Sequence, residues 1–165
     1  MKLPCRFGIM LAALVISGAV FYVIYNKDFG RSGEEKKTVL VVKDTGTGRV
    51  YGKWPLEEDE LFAIEFVHSV NQSPVTESFR PENGMIRSVA VRFFSFGAGM
   101  QSDLKEGQTL SRDGDAMLIS GLNTSFKGLN YIVGTVSDHL LIIRNEPVSL
   151  RELCGRNSHV TIYLE

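Results

Sequence analysis

Leu61–Pro81 reads LFAIEFVHSVNQSPVTESFRP. Phe62, Ile64, Phe66 and His68 alternate with Ala63, Glu65, Val67 and Ser69, the period-two pattern of a β-strand with one face in a core. Val75–Pro81 is a second such run, and Asn71-Gln72-Ser73-Pro74 between them is loop chemistry. Pairing the runs antiparallel with His68 opposite Glu77 sets Phe66 opposite Phe79 and Glu65 opposite Arg80. That register yields an aromatic pair inside, an ion pair outside and a His–Glu pair at the rim of the core, each favourable across strands.

Outward from this hairpin the chain stays β-rich. Asn83-Gly84 is a two-residue hairpin signal leading into Met85–Phe94. A plain two-residue turn puts Ala90 on the face of Glu77 and Val89 and Val91 on the other, so a bulge or a longer loop is needed to keep the alternation. Upstream, Lys37–Lys43 and Arg49–Lys53 flank the turn-forming Asp44-Thr45-Gly46-Thr47-Gly48. Downstream, strands are expected at Ala116–Ser120, Tyr131–Val136, His139–Arg144 and Val160–Leu164, with one helical turn at Ser149–Leu153. Short strands with turns between them imply a mostly β fold, one antiparallel β-sandwich or small β-barrel.

The N-terminal region has a different composition. Phe7–Tyr25 reads FGIMLAALVISGAVFYVIY without a charge, long enough to cross a bilayer core as a transmembrane helix. Lys2 and Arg6 precede it and keep residues 1–6 cytoplasmic by the positive-inside rule. The run ends in bulky residues, Phe21-Tyr22-Val23-Ile24-Tyr25, rather than a small-x-small cleavage site, which favours a signal anchor over a cleaved signal peptide. Residues 26–36 read as a polar linker. The expectation is a single-pass protein of the cell membrane, in contact with lipid, with residues 37–165 as an extracytoplasmic β domain.

Composition removes several classes. The formal net charge is -1 over 165 residues, and no basic stripe is present, so a nucleic-acid partner is not expected. Cys5 and Cys154 fall on either side of the apolar run, which leaves no disulfide framework and no cysteine zinc site. Cys154 reads as a small apolar core residue. His68, His139 and His159 lack metal-ligand spacing, and Asp113-Gly114-Asp115 reads as a turn rather than a calcium loop. No metal and no cofactor are expected.

His68 and Glu77 have the residue types of a general base and its orienter, but no nucleophile motif accompanies them, and Ser69 points to the other face. A structural hydrogen-bonded pair is the simpler reading, and a ligand or interface contact the alternative. Ser95-Phe96-Gly97-Ala98-Gly99 lacks the third glycine and following helix of a dinucleotide loop and reads as a shaped loop near the His68 end of the sheet. The binding or interface candidates are therefore His68, Ser69, Glu77, Ser95, Gly97 and Gly99, with no catalytic residue.

Phe66-Val67-His68-Ser69-Val70, Pro74-Val75-Thr76-Glu77 and Ser95-Phe96-Gly97-Ala98-Gly99 together resemble the core of a bacterial family, domain of unknown function 1850. Asp138-His139-Leu140 and the Leu150–Leu153 turn fit more loosely, and Gln101 stands where the family commonly has proline. The resemblance implies an anchored accessory subunit of a TAXI-type TRAP transporter, a class that imports small organic acids with an extracytoplasmic solute receptor and a large permease. The permease and the receptor are thus the expected partners, and the expected role is non-enzymatic. The alternative from another class is a free-standing envelope domain that binds a small ligand.

Overall fold

The computed structural model describes residues 38–70, 72–95 and 103–165. The expected membrane helix Phe7–Tyr25, and with it Cys5 and the linker, lies outside the described residues, as do Gly97 and Gly99. Among the described residues no helix is long and apolar enough to cross a membrane.

Two antiparallel sheets make up the β domain among the described residues. The first contains β1 (Thr38–Asp44), β2 (Val50–Leu56), β9 (Gly128–Ile132) and β12 (His159–Leu164), in the order β2-β1-β12-β9. The second contains β3 (Phe62–Val67), β4 (Pro74–Glu82), β5 (Met85–Phe93), β6 (Thr109–Asp113), β7 (Ala116–Ser120), β10 (His139–Ile143) and β11 (Glu146–Ser149). Its order is β11-β10-β3-β4-β5-β7-β6, and the short β8 (Ser125–Phe126) pairs with β5. Leu40, Val42, Leu129, Val160 and Ile162 from the first sheet and Phe62, Ile64, Phe79, Ile86, Leu141 and Ile143 from the second form one buried cluster. That shared core makes the architecture sandwich-like.

Local chemistry accounts for the hairpins. Asp44 closes the first turn: its Oδ1 accepts from the backbone N–H of Thr47 at 2.7 Å and of Gly46 at 3.0 Å. Asn83 and Gly84 form the two-residue turn with φ of 52° and 73°, and Glu82 faces Met85 across it. A bulge follows: Ser78 pairs with Ala90 but Phe79 with Ser88. The bulge turns Val91 to face Glu77, which restores the alternation. α1 (Leu150–Cys154) is capped by Ser149, whose Oγ accepts from the Glu152 N–H at 3.0 Å, as N-cap residues do.

The β3–β4 register differs from the sequence expectation. Phe62 faces Phe79, Ile64 faces Glu77 and Phe66 faces Val75, a slide of four residues from the expected pairing. The cause is a tight loop: the His68 N–H donates to Ser73 O and the Gln72 N–H to His68 O, both at 2.9 Å. An even slide leaves every side chain on its expected face. The inner aromatic pair is therefore Phe62 with Phe79, ring centroids 5.5 Å apart. The expected Glu65–Arg80 ion pair is replaced: Glu65 accepts from Thr76 Oγ1 at 2.9 Å, while Arg80 and Arg87 both bind Glu82, at 3.0 and 2.7 Å.

Other boundaries moved for identifiable reasons. The strand expected at Tyr131–Val136 is β9, which starts three residues earlier and ends four earlier; it stops at Ile132 because Val133 leaves the ladder to bond Ser158 and Asn157 in the α1–β12 loop. β6 has all five residues exposed and no apolar alternation. β11 holds Pro147 at a sheet edge, where the missing N–H is tolerated.

Candidate functional site

The sheet register places one carboxylate in an apolar setting. Along the inner face of the large sheet, one cross-strand row runs Leu141–Ile64–Glu77–Val91–Ile119. Glu77 is the polar member of that row and is half-buried. Its partner comes from the other sheet: the Tyr131 hydroxyl, on β9, donates to Glu77 Oε2 at 2.9 Å. Burial, and secondarily the Glu77 charge, push the Tyr131 pKa well above the ordinary tyrosine range, so this hydroxyl remains a donor at any physiological pH. The bond ties the two sheets together through the core.

His139 packs beside this bridge. Its ring stacks on Phe66, its cross-strand neighbour, with centroids 5.5 Å apart, and lies 5.7 Å from the Tyr131 ring. Its Nδ1 accepts from the Gly134 N–H at 3.3 Å, which requires the neutral ring at that atom. Burial lowers the His139 pKa; Asp138 opposes that shift and Arg151 adds to it.

Asp138 organises the backbone next to it. Its Oδ1 accepts from the His139 N–H at 2.7 Å and from the Arg151 N–H at 3.0 Å, and its Oδ2 accepts from the Ser149 hydroxyl. One carboxylate thus ties the start of β10 to the start of α1. Nε and Nη2 of Arg151 are buried without a hydrogen-bond partner among the described residues.

The expected His68–Glu77 pair is not formed. His68 sits in the β3–β4 loop, where its Nδ1 accepts from the Val70 N–H at 3.3 Å. Glu77 lies four residues up the strand from Ser73, roughly 13 Å at the rise of a β-strand. Ser69 is exposed in the same loop, and its carbonyl accepts from the Gln72 side chain. Ser95 is exposed just beyond β5. Of the sequence candidates, the structure brings His68 and Ser69 together in one loop and places Glu77 in the interior. Tyr131, His139, Asp138 and Arg151 were missed as site residues. The one hint in the sequence was the looser part of the family resemblance, at Asp138-His139-Leu140 and Leu150–Leu153.

No group of three or more His, Cys, Asp or Glu side chains among the described residues could hold a metal ion. Chemically, the cluster can bridge the sheets, hold a neutral imidazole and position the β9–β10 loop. The fold and site together define a two-sheet antiparallel β domain with a Glu–Tyr bridge through its core.

The chain belongs to the family Domain of unknown function (DUF1850), whose model matches residues 62–150. That span runs from the first residue of β3 to the first of α1 and includes Glu77, Tyr131, Asp138 and His139. No curated protein and no solved structure matches the chain.

Proposed function

We propose that this chain is a membrane-anchored, extracytoplasmic, non-enzymatic accessory subunit of a TAXI-type TRAP transporter for small organic acids. The family membership supports the reading, through the transporter context that the family resemblance implies. The observation that carries it is an apolar tip. The β3–β4 and β9–β10 loops leave adjacent strands, β3 and β10, at one end of the large sheet. Val67, at the end of β3, is 39% exposed, and the two loops expose Val70 at 66% and Val136 at 93%. Valines on loop tips gain little from folding the domain and suit a protein contact. His68 and Ser69 lie in the β3–β4 loop at this same end of the sheet, and in this reading that end docks on the permease or the solute receptor. Glu77 and Tyr131 act from beneath it by holding β9 and β4 together.

Affinity purification of the full chain from native membranes in mild detergent is expected to recover the permease or the receptor. The Val70→Asp/Val136→Asp variant is expected to lose it while keeping its unfolding temperature. Repeated recovery of neither partner by the unaltered chain refutes the proposal. The free-standing ligand-binding alternative has weaker support. The space between the sheets is filled by side chains such as Ile64, Phe79, Leu129 and Ile162, and the Glu77–Tyr131 bond crosses it.

A further inference from the structure

On the outer face of the small sheet an open groove of about 600 Å³ is lined by Lys43, Ser125, Phe126, Lys127, Gly128, Asn130, Thr161 and Tyr163. The register explains its shape. Lys43 faces Thr161 across β1 and β12, and Asn130 and Gly128 continue the same face on β9 opposite Thr161 and Tyr163. Gly128 leaves the floor open; a Cβ there would lie 3.2 Å from Ile162 O and 3.3 Å from Thr161 Cγ2.

The groove's polar groups are arranged as donors. Lys43 Nζ stands 4.6 Å from the Tyr163 ring centroid, a cation–π contact that holds the ammonium in place. Thr161 Oγ1 bonds Thr45 Oγ1 at 2.9 Å and donates to Asn130 Oδ1 at 2.8 Å. That chain fixes the Asn130 amide and leaves its N–H groups without a partner among the described residues. Neither Lys43 nor Lys127 makes an ion pair with a described residue, and no lining residue is acidic. The nearby Glu165 carboxylate is engaged by Lys53 and by the Tyr163 hydroxyl, and the Lys43 charge acts on it more weakly, without an ion pair.

We infer that this groove binds an acidic, extended segment of a partner protein. Two ammonium groups without an ion pair among the described residues, beside the Asn130 amide donor, complement carboxylates carried on a chain. The groove is too open to enclose most of a small molecule's surface, as small-ligand sites do, whereas a passing chain needs no enclosure. The inference rests on the reading of this domain as a docking subunit, and it adds the charge of the segment that docks.

The test is a titration of the isotope-labelled full chain in detergent with hexaglutamate, followed by NMR. Hexaglutamine and succinate serve as separate arms. Hexaglutamate is expected to shift the amides of Lys43, Asn130, Thr161 and Tyr163 saturably, and added salt should weaken the response. Lys43→Gln/Lys127→Gln should weaken binding at least about threefold, from the loss of two exposed charge contacts. Lys127→Gln alone, which leaves the Lys43–Tyr163 contact intact, should weaken it to a lesser degree. An unchanged affinity in both variants overturns the inference. So does an equal response to hexaglutamine, or saturation by succinate at lower concentration than by hexaglutamate. Transporter recovery separates the two proposals. If the double-glutamine chain recovers the permease or receptor as well as the unaltered chain does, the groove falls and the accessory role stands. If neither chain recovers them, the accessory role falls.

Discussion

Replacing Tyr131 with Phe removes one oxygen and leaves the Glu77 carboxylate facing Ile64 and Val91 without its partner from the other sheet. Hydrogen bonds to charged groups contribute about 1.5–3 kcal/mol net. Glu77 is half-buried, so water relieves part of the loss, and about 1.5–2 kcal/mol is expected. For a domain of this size that corresponds to a drop in Tm of roughly 5–8 °C. Glu77→Leu is expected to cost less, about 0–1 kcal/mol, because an apolar side chain suits that row while the Tyr131 hydroxyl loses its acceptor. The double variant Tyr131→Phe/Glu77→Leu has neither a stranded carboxylate nor a stranded hydroxyl. It should therefore be more stable than Tyr131→Phe alone. Thermal and urea unfolding of the full chain supply the four corners of the cycle. Additivity of the two changes within about 0.5 kcal/mol would refute the claim that this bond bridges the sheets.

Two further outcomes follow from the same interior. Burial lowers the His139 pKa below its ordinary value, ahead of the smaller effects of Asp138 and Arg151. Below the unfolded pKa of about 6.5 the unfolded chain takes up a proton that the folded one resists, so stability is present above that pH and declines as pH falls toward the folded pKa. Unfolding temperature should drop on acidification below about pH 6.5, less steeply in His139→Gln; equal slopes for the two chains would exclude His139 as the source. Burial also pushes the Cys154 thiol up to about 11, with the Asp44 charge adding to the shift. A thiol reagent at neutral pH should label Cys154 slowly in the folded protein and rapidly in urea, and fast labelling of the folded chain contradicts the burial.

The strands that turn apolar residues inward were legible from residue pattern because alternation is a local property; β6, β8 and β11 lack a run of such residues and were not. Phe62, Ile64 and Phe66 face the core as their spacing required, and Asn83-Gly84 turns the chain where only positive φ values fit. That the plain Asn83-Gly84 turn breaks the alternation was also readable from parity; that a bulge rather than a longer loop repairs it was decided by the structure. Register was not legible. The slide from Phe66 to Phe62 as the partner of Phe79 preserves every face, so the hydrophobic pattern scores both pairings alike. What separates them is the closure of the loop from His68 to Ser73 by backbone hydrogen bonds. The partner of Glu77 was further out of reach. Tyr131 lies 54 residues along the chain on the other sheet, and no local rule links a carboxylate on a central strand to a hydroxyl on an edge strand across the core. Local side-chain chemistry sets which residues turn inward; which inward residues meet is set by how two sheets pack, a property of the assembled domain rather than of any segment within it.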